Sequence, residues 1–201
     1  MNTLKAEKRE LSTKAKKLRR EGYVTGNVFG REMKESLPIK LNKFDVDKIL
    51  KDNGKGSQVM LEVDGQTYDA LIKEIDFNAL KHEVIEIDFQ ALVSNEMVHS
   101  VAEIFLLNHE NRGGGLVQQI LHEVEFKALP AALVDKIELD VGSLKLGDSI
   151  KVKDLAIASN PDIELKTDPE ATIVVVTEVK SKEEDTAADD AEAEETAETT
   201  K

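Results

Sequence analysis

The sequence predicts a mainly β protein with some α (α+β). It reads as an N-terminal small β-barrel with flanking helices, a second β-rich domain and a disordered acidic tail. Three observations predict it. Short apolar runs, alternating or β-branched, recur along residues 3–179 and are punctuated by Gly, Pro, Asn and Asp. Helical spacing is confined to two short stretches, residues 12–21 and 42–50. The end, SKEEDTAADDAEAEETAETTK, holds nine acids, two lysines and no apolar residue larger than Ala, so burial cannot offset the entropy of ordering it. The expected divisions are 1–92, 93–180 and 181–201.

Along the first division, residues 3–8 are a strand candidate. Ser12 is placed to cap a helix to about Glu21, with Leu11, Ala15 and Leu18 forming a narrow apolar stripe and Gly22 ending it. Val28-Phe29 and residues 37–41 are short strands around the turn-like Gly30-Arg31-Glu32. A second helix starts near Asn42, with Phe44, Val46, Ile49 and Leu50 as its apolar residues, and Asp52-Asn53-Gly54 stops it. Val59, Leu61 and Val63 alternate with polar neighbours up to Asp64-Gly65, a type I′ hairpin signal, and residues 66–75 return. In residues 84–89, Ile85, Ile87 and Phe89 face one way, Glu86 and Asp88 the other.

The second division continues in strands. Residues 98–107 suit a buried strand, and 121–129 is a strand closed by Pro130. Shorter strands are expected at 137–141, 149–152 and 163–166, with a β-branched strand at 172–179 bounded by Asp168-Pro169.

Composition excludes several classes of function. The chain has 201 residues and a net charge of −13, and with six Phe, two Tyr and no Trp its cores must be aliphatic. It has no Cys, hence no disulfide, thiolate metal site or Cys nucleophile, which fits a reducing cytoplasm. Residues 1–20 lack the apolar core of a signal peptide, and no run of 18 apolar residues exists, so neither standard secretion nor membrane spanning is expected. There is no Walker loop and no dinucleotide fingerprint. Gly113-Gly114-Gly115 lacks the Lys-Ser/Thr pair that would make it a phosphate loop. His82, His99, His109 and His122 show no metal-binding spacing. No cofactor, small-molecule substrate or catalytic residue is expected.

One feature points to a partner. Among residues 1–20, eight Lys and Arg stand against two Glu, in a chain that is otherwise strongly acidic. Lys16, Arg19 and Arg20 are three and four residues apart, as are Lys14 and Lys17, so their charges share a helical surface. Arg9 lies just upstream. Such a patch suits a polyanion, most simply nucleic-acid phosphate, and equally suits a solvated helix face. Phe29 offers a base-stacking ring or a packing residue beneath the helix.

In order, Leu4-Lys5-Ala6-Glu7-Lys8-Arg9, residues 16–24, Val28-Phe29-Gly30, Leu37-Pro38-Ile39, residues 71–75 and Ile87-Asp88-Phe89-Gln90 resemble the L twenty-five family. These are bacterial large-subunit ribosomal proteins that bind 5S rRNA, also known as general stress protein Ctc. Residues 114–119, Glu123-Val124-Glu125, Leu129-Pro130-Ala131 and residues 146–150 resemble the extra domain of its long, two-domain form. The resemblance implies a six-stranded barrel gripping 5S rRNA in the central protuberance beside other large-subunit proteins, and a second domain outside that contact. It implies RNA-binding roles for Arg9, Lys16, Lys17, Arg19 and Asp88, the last accepting from a base or orienting a basic side chain.

The departures are local. Lys replaces Arg at 16 and 17, Phe29 replaces a Tyr, Asp76-Phe77-Asn78-Ala79 replaces Gln-Arg-His-Pro, and Glu86 replaces a His. The alternative expectation is therefore a diverged, stress-associated interaction protein of the same fold with weakened RNA binding.

Overall fold

The computed structural model describes residues 3–108 and 115–178. The acidic tail, His109, Gly113 and Gly114 lie outside the described residues.

The first half is a closed barrel of six strands. In chain order they are β1 (Thr3–Lys8), β2 (Tyr23–Phe29), β3 (Leu37–Asn42), β4 (Gln58–Val63), β5 (Gln66–Asn78) and β6 (Glu83–Ala91), with α1 (Ala15–Arg20) and α2 (Lys43–Ile49) between them. The strand order is β1-β3-β2-β6-β5-β4, and β1 closes the ring by pairing parallel to β4, Leu4 opposite Leu61. β2 and β6 also run parallel. Alternate residues of each strand turn inward, so Leu4, Val24, Val28, Ile39, Leu41, Leu61, Ile72, Ile87 and Phe89 fill the barrel.

Gly26 makes the β2–β6 seam possible. A β-carbon there would stand 2.0 Å from the carbonyl oxygen of Ile87. The Asp64-Gly65 turn forms with φ of 49° and 86°, as the hairpin signal requires.

The second half adds β7 (Val98–Leu107), β8 (Leu116–Gln119), β9 (Glu123–Ala128), β10 (Lys136–Asp140), β11 (Ser149–Lys151), β12 (Ile163–Leu165) and β13 (Thr172–Thr177). They form two sheets, β10-β7-β9-β12 and β11-β13-β8, around a separate apolar cluster that includes Phe126, Val124, Ile104 and Ile173. The loop before β4 locks onto β7. Ser100 Oγ donates to the Gly56 carbonyl at 3.2 Å, and Lys73 Nζ donates to the His99 carbonyl at 2.9 Å. Burial pushes the Lys73 ammonium below its usual pKa.

Several elements differ from the sequence reading. α1 begins at Ala15 with Lys14 in the capping position and no side-chain cap, while Ser12 donates to Glu10 instead. Leu11 is 78 % exposed, so Leu18 is the only buried residue of that stripe. Asn42 does cap α2, its Oδ1 accepting from the Phe44 amide at 2.9 Å, but the Phe44 ring is 75 % exposed. β2 starts at Tyr23 because pairing with β3 and β6 overrides the low strand preference of Gly26 and Asn27. β8 is a further strand, recruited by pairing to β13. In β6 a register shift opposite Asp76 and Phe77 turns Val84 inward and leaves Ile85 half-buried.

Candidate nucleic-acid interface

α1 has six residues, too few to be stable alone, so its direction is set by tertiary packing. Leu18 anchors it against β2. With Leu18 inward, Lys14, Lys16, Lys17, Arg19 and Arg20 are all exposed. Lys17 approaches Glu21 at 3.8 Å, a surface pair. Among the described residues, no carboxylate forms an ion pair with Lys14, Lys16, Arg19 or Arg20.

Lys16, Arg19 and Arg20 do not stand alone. They form one wall of a groove of about 710 Å³ whose other wall is the end of the β5–β6 hairpin, with Lys43 beside it. Local geometry explains the meeting. Gly22 terminates α1 with φ of 88°, and its carbonyl accepts from the Lys43 amide at 3.0 Å, so the start of α2 is tied to the end of α1. Lys43 Nζ then donates to Glu83 Oε1 at 2.7 Å. That hydrogen bond, with the ammonium's charge, lowers the Glu83 pKa, so the carboxylate is held ionised.

At the hairpin tip Asn78 Oδ1 accepts from the amides of Leu80 and Lys81 at 3.1 and 3.2 Å, which fixes the turn that presents Lys81. Tyr23 lines the floor, and Lys40 Nζ covers its ring 4.9 Å from the centroid. Lys43 and Lys81 were not singled out from sequence because roughly 20 and 60 residues separate them from α1, and Tyr23, three residues past its end, carries no charge to mark it. The capping Asn42 was the one local clue to where Lys43 would sit.

The remaining expected residues lie elsewhere. Arg9 is half-buried and serves the turn before α1, its Nη2 donating to the Thr13 carbonyl at 3.2 Å. Its Nε is buried without a hydrogen-bond partner among the described residues. Phe29 sits on the outer face of β2, 37 % exposed, six residues and so about 20 Å along the strand from Tyr23, where α1 packs. It is therefore not the ring beneath the helix.

Asp88 shares that outer face. Its Oδ1 accepts from the Asn27 amide at 2.9 Å and from Asn27 Nδ2 at 3.1 Å, so it orients an amide side chain rather than a basic one. Asn27 Nδ2 also reaches Glu86 Oε1 at 3.3 Å. The register sets Glu74 opposite Asp88 and Asp76 opposite Glu86. Four carboxylates thus share the face, with Asn27 as the donor among them. No phosphate is attracted there; a donor such as a base amino group is the chemistry it can accept.

Among the described residues no group of His, Asp or Glu is arranged to hold a metal ion, and no helix is long and apolar enough to cross a membrane.

Residues 4–89 match the model of the Ribosomal L25p family, and residues 97–180 match that of the C-terminal domain of ribosomal protein TL5. The large ribosomal subunit protein bL25 of Listeria monocytogenes is 32% identical over 188 residues, covering 92% of this chain and 89% of that protein. The protein of the same name from Halalkalibacterium halodurans is 33% identical over 194 residues, 92% of this chain and 88% of its own length. That from Caldanaerobacter subterraneus is 32% identical over 180 residues, 87% and 88% of the two chains. With both family models matched in succession and relatives at 32–33% identity over most of both chains, the chain belongs to the Ribosomal L25p family, in the form that carries a TL5-type C-terminal domain.

Proposed function

We propose that this chain binds 5S rRNA in the central protuberance of the large ribosomal subunit. Its relatives carry the name of a large-subunit ribosomal protein, which makes this chain a structural component of translation rather than an enzyme. The finer assignment rests on one observation: three exposed cations of α1, Lys16, Arg19 and Arg20, free of carboxylate ion pairs among the described residues, converge on a single groove of the barrel.

The charge distribution supports it. Residues 1–92 hold 17 Lys and Arg against 16 Asp and Glu, residues 93–180 hold 8 against 15, and residues 181–201 hold 2 against 9. A polyanion approaching such a chain is steered to the first unit and repelled by the rest. In this reading residues 1–92 are the RNA-binding domain, and residues 93–180 form a second domain outside the RNA contact. The acidic tail keeps the chain soluble, and the protein works in the cytoplasm on the ribosome beside the proteins of the protuberance.

A purified-protein gel shift against 5S rRNA tests the reading. The doubly reversed variant Lys16→Glu with Arg19→Glu is expected to bind at least about tenfold more weakly while keeping its circular dichroism. Equal affinity would reduce the patch to a solvated helix face. The four carboxylates on the outer sheet face favour a second reading, a stress-associated interaction protein with little RNA affinity. Sucrose gradients separate the two, because that protein sediments free of large subunits under every growth condition.

A further inference from the structure

The groove beside α1 has a second wall that neither the charge of residues 1–20 nor the family likeness assigns. We infer that this groove seats the RNA phosphate backbone, with Lys81 and Lys43 as contacts and the Glu83 carboxylate as an internal anion that phosphate displaces. The inference rests on the RNA-binding reading and locates the surface that carries it.

Lys16, Arg19 and Arg20 from the helix, Lys43 from the start of α2 and Lys81 from the hairpin line the same cavity, and Glu83 is the one carboxylate among its described lining residues. The neighbouring outer face of β5 and β6 carries Glu74, Asp76, Glu86 and Asp88. A phosphate backbone laid on the barrel is therefore repelled by the sheet face and drawn into the groove. Within it, Glu83 Oε1 at 2.7 Å from Lys43 Nζ already makes the contact that a phosphate oxygen would make. The Glu83 side chain is 45% exposed, so it can turn to solvent as the RNA oxygen takes its place. Lys81 needs no such exchange. No carboxylate among the described residues pairs with it, and the Asn78 turn holds its backbone, so less freedom is lost on binding.

The experiment is a gel shift of the full chain across a salt series, against 5S rRNA and against an unrelated RNA duplex, with circular dichroism on every variant. Lys81→Gln is expected to weaken 5S binding about threefold or more at low salt. It should also reduce the slope of log affinity against log salt by about 0.7–0.9, one phosphate contact. Glu83→Gln is expected to tighten binding about twofold or more, because Lys43 is released and an anion leaves the groove. Lys145→Gln, which removes an equal charge from the second unit, should change neither quantity.

If the wild-type chain binds 5S rRNA and both groove variants keep its affinity and slope, the inference falls and the 5S reading survives. If the wild type favours 5S rRNA no more than the duplex, yet both variants respond as stated, the 5S reading falls and the groove assignment survives. Retention of no RNA at low salt by the folded chain overturns both.

Discussion

Gly26 shows how strictly a single position constrains the barrel that carries the candidate interface. Its missing side chain lets β2 pass within contact of the Ile87 carbonyl, and the opposing atoms are backbone that cannot step aside. Gly26→Ala is therefore expected to destabilise the protein by about 2–4 kcal/mol, measured by urea denaturation. A loss below about 0.5 kcal/mol would show that the seam has slack. Other residues were harder to place from sequence. Arg9 belongs to a cationic run, and only the fold shows that one of its guanidinium nitrogens donates to the Thr13 carbonyl. Asp88 was legible as a polar outward residue, but its partner Asn27 lies 61 positions away on a strand that the sequence reading began too late. Leu11 and Phe44 fit helical periodicity and are nonetheless exposed, because periodicity marks a face and does not supply a partner for it.

At the scale of elements, alternation was the reliable guide. β1, β4 and the Asp64-Gly65 turn were readable because inward and outward residues alternate and the turn demands positive φ. α1 was readable by charge and less so by its start, since its cap is not made by Ser12. β8 carries no distinctive pattern and exists because β13 offers an edge. The segment from β11 to β13 holds an ion cluster with a clear pH consequence. Glu170 receives hydrogen bonds from Lys151 and Lys153 at 2.7 and 2.8 Å, which lower its pKa to about 2 from an ordinary 4.5. A depressed carboxylate stabilises the fold fully above its unfolded value and loses that contribution as pH falls toward the folded one. Chemical-shift titration should show Glu170 still ionised near pH 3, while the support it gives the 149–175 segment is lost progressively as pH falls from about 4.5 toward 2. Glu170→Gln should abolish that acid response. A Glu170 midpoint near 4.5 would mean that the two lysines stay hydrated and apart.

Across the whole molecule, two apolar clusters are joined at one stiff contact. Gly56, at φ of 88°, brings its backbone so close to β7 that a β-carbon would lie 1.9 Å from the Val101 carbonyl oxygen. Gly56→Ala is expected to open this contact while leaving the barrel folded. Small-angle scattering would then report a larger radius of gyration. An unchanged radius would show that Ser100 and Lys73 suffice to hold the halves together. The mainly β class and the barrel were visible in the spacing of apolar runs. The contact between halves was not, because it depends on the Ser100 hydroxyl and the Lys73 amine meeting carbonyls 44 and 26 residues away.

The parallel pairing of β1 with β4 also has a consequence for synthesis. Leu4 cannot meet Leu61, nor Ala6 meet Val63, until the chain has grown by almost sixty residues. At about 5–20 residues per second, the earliest strand waits roughly 3–12 s for its neighbour. During that interval only β3, whose Leu41 lies opposite Ala6, can partner it, so the growing polypeptide carries an open strand edge until the barrel closes.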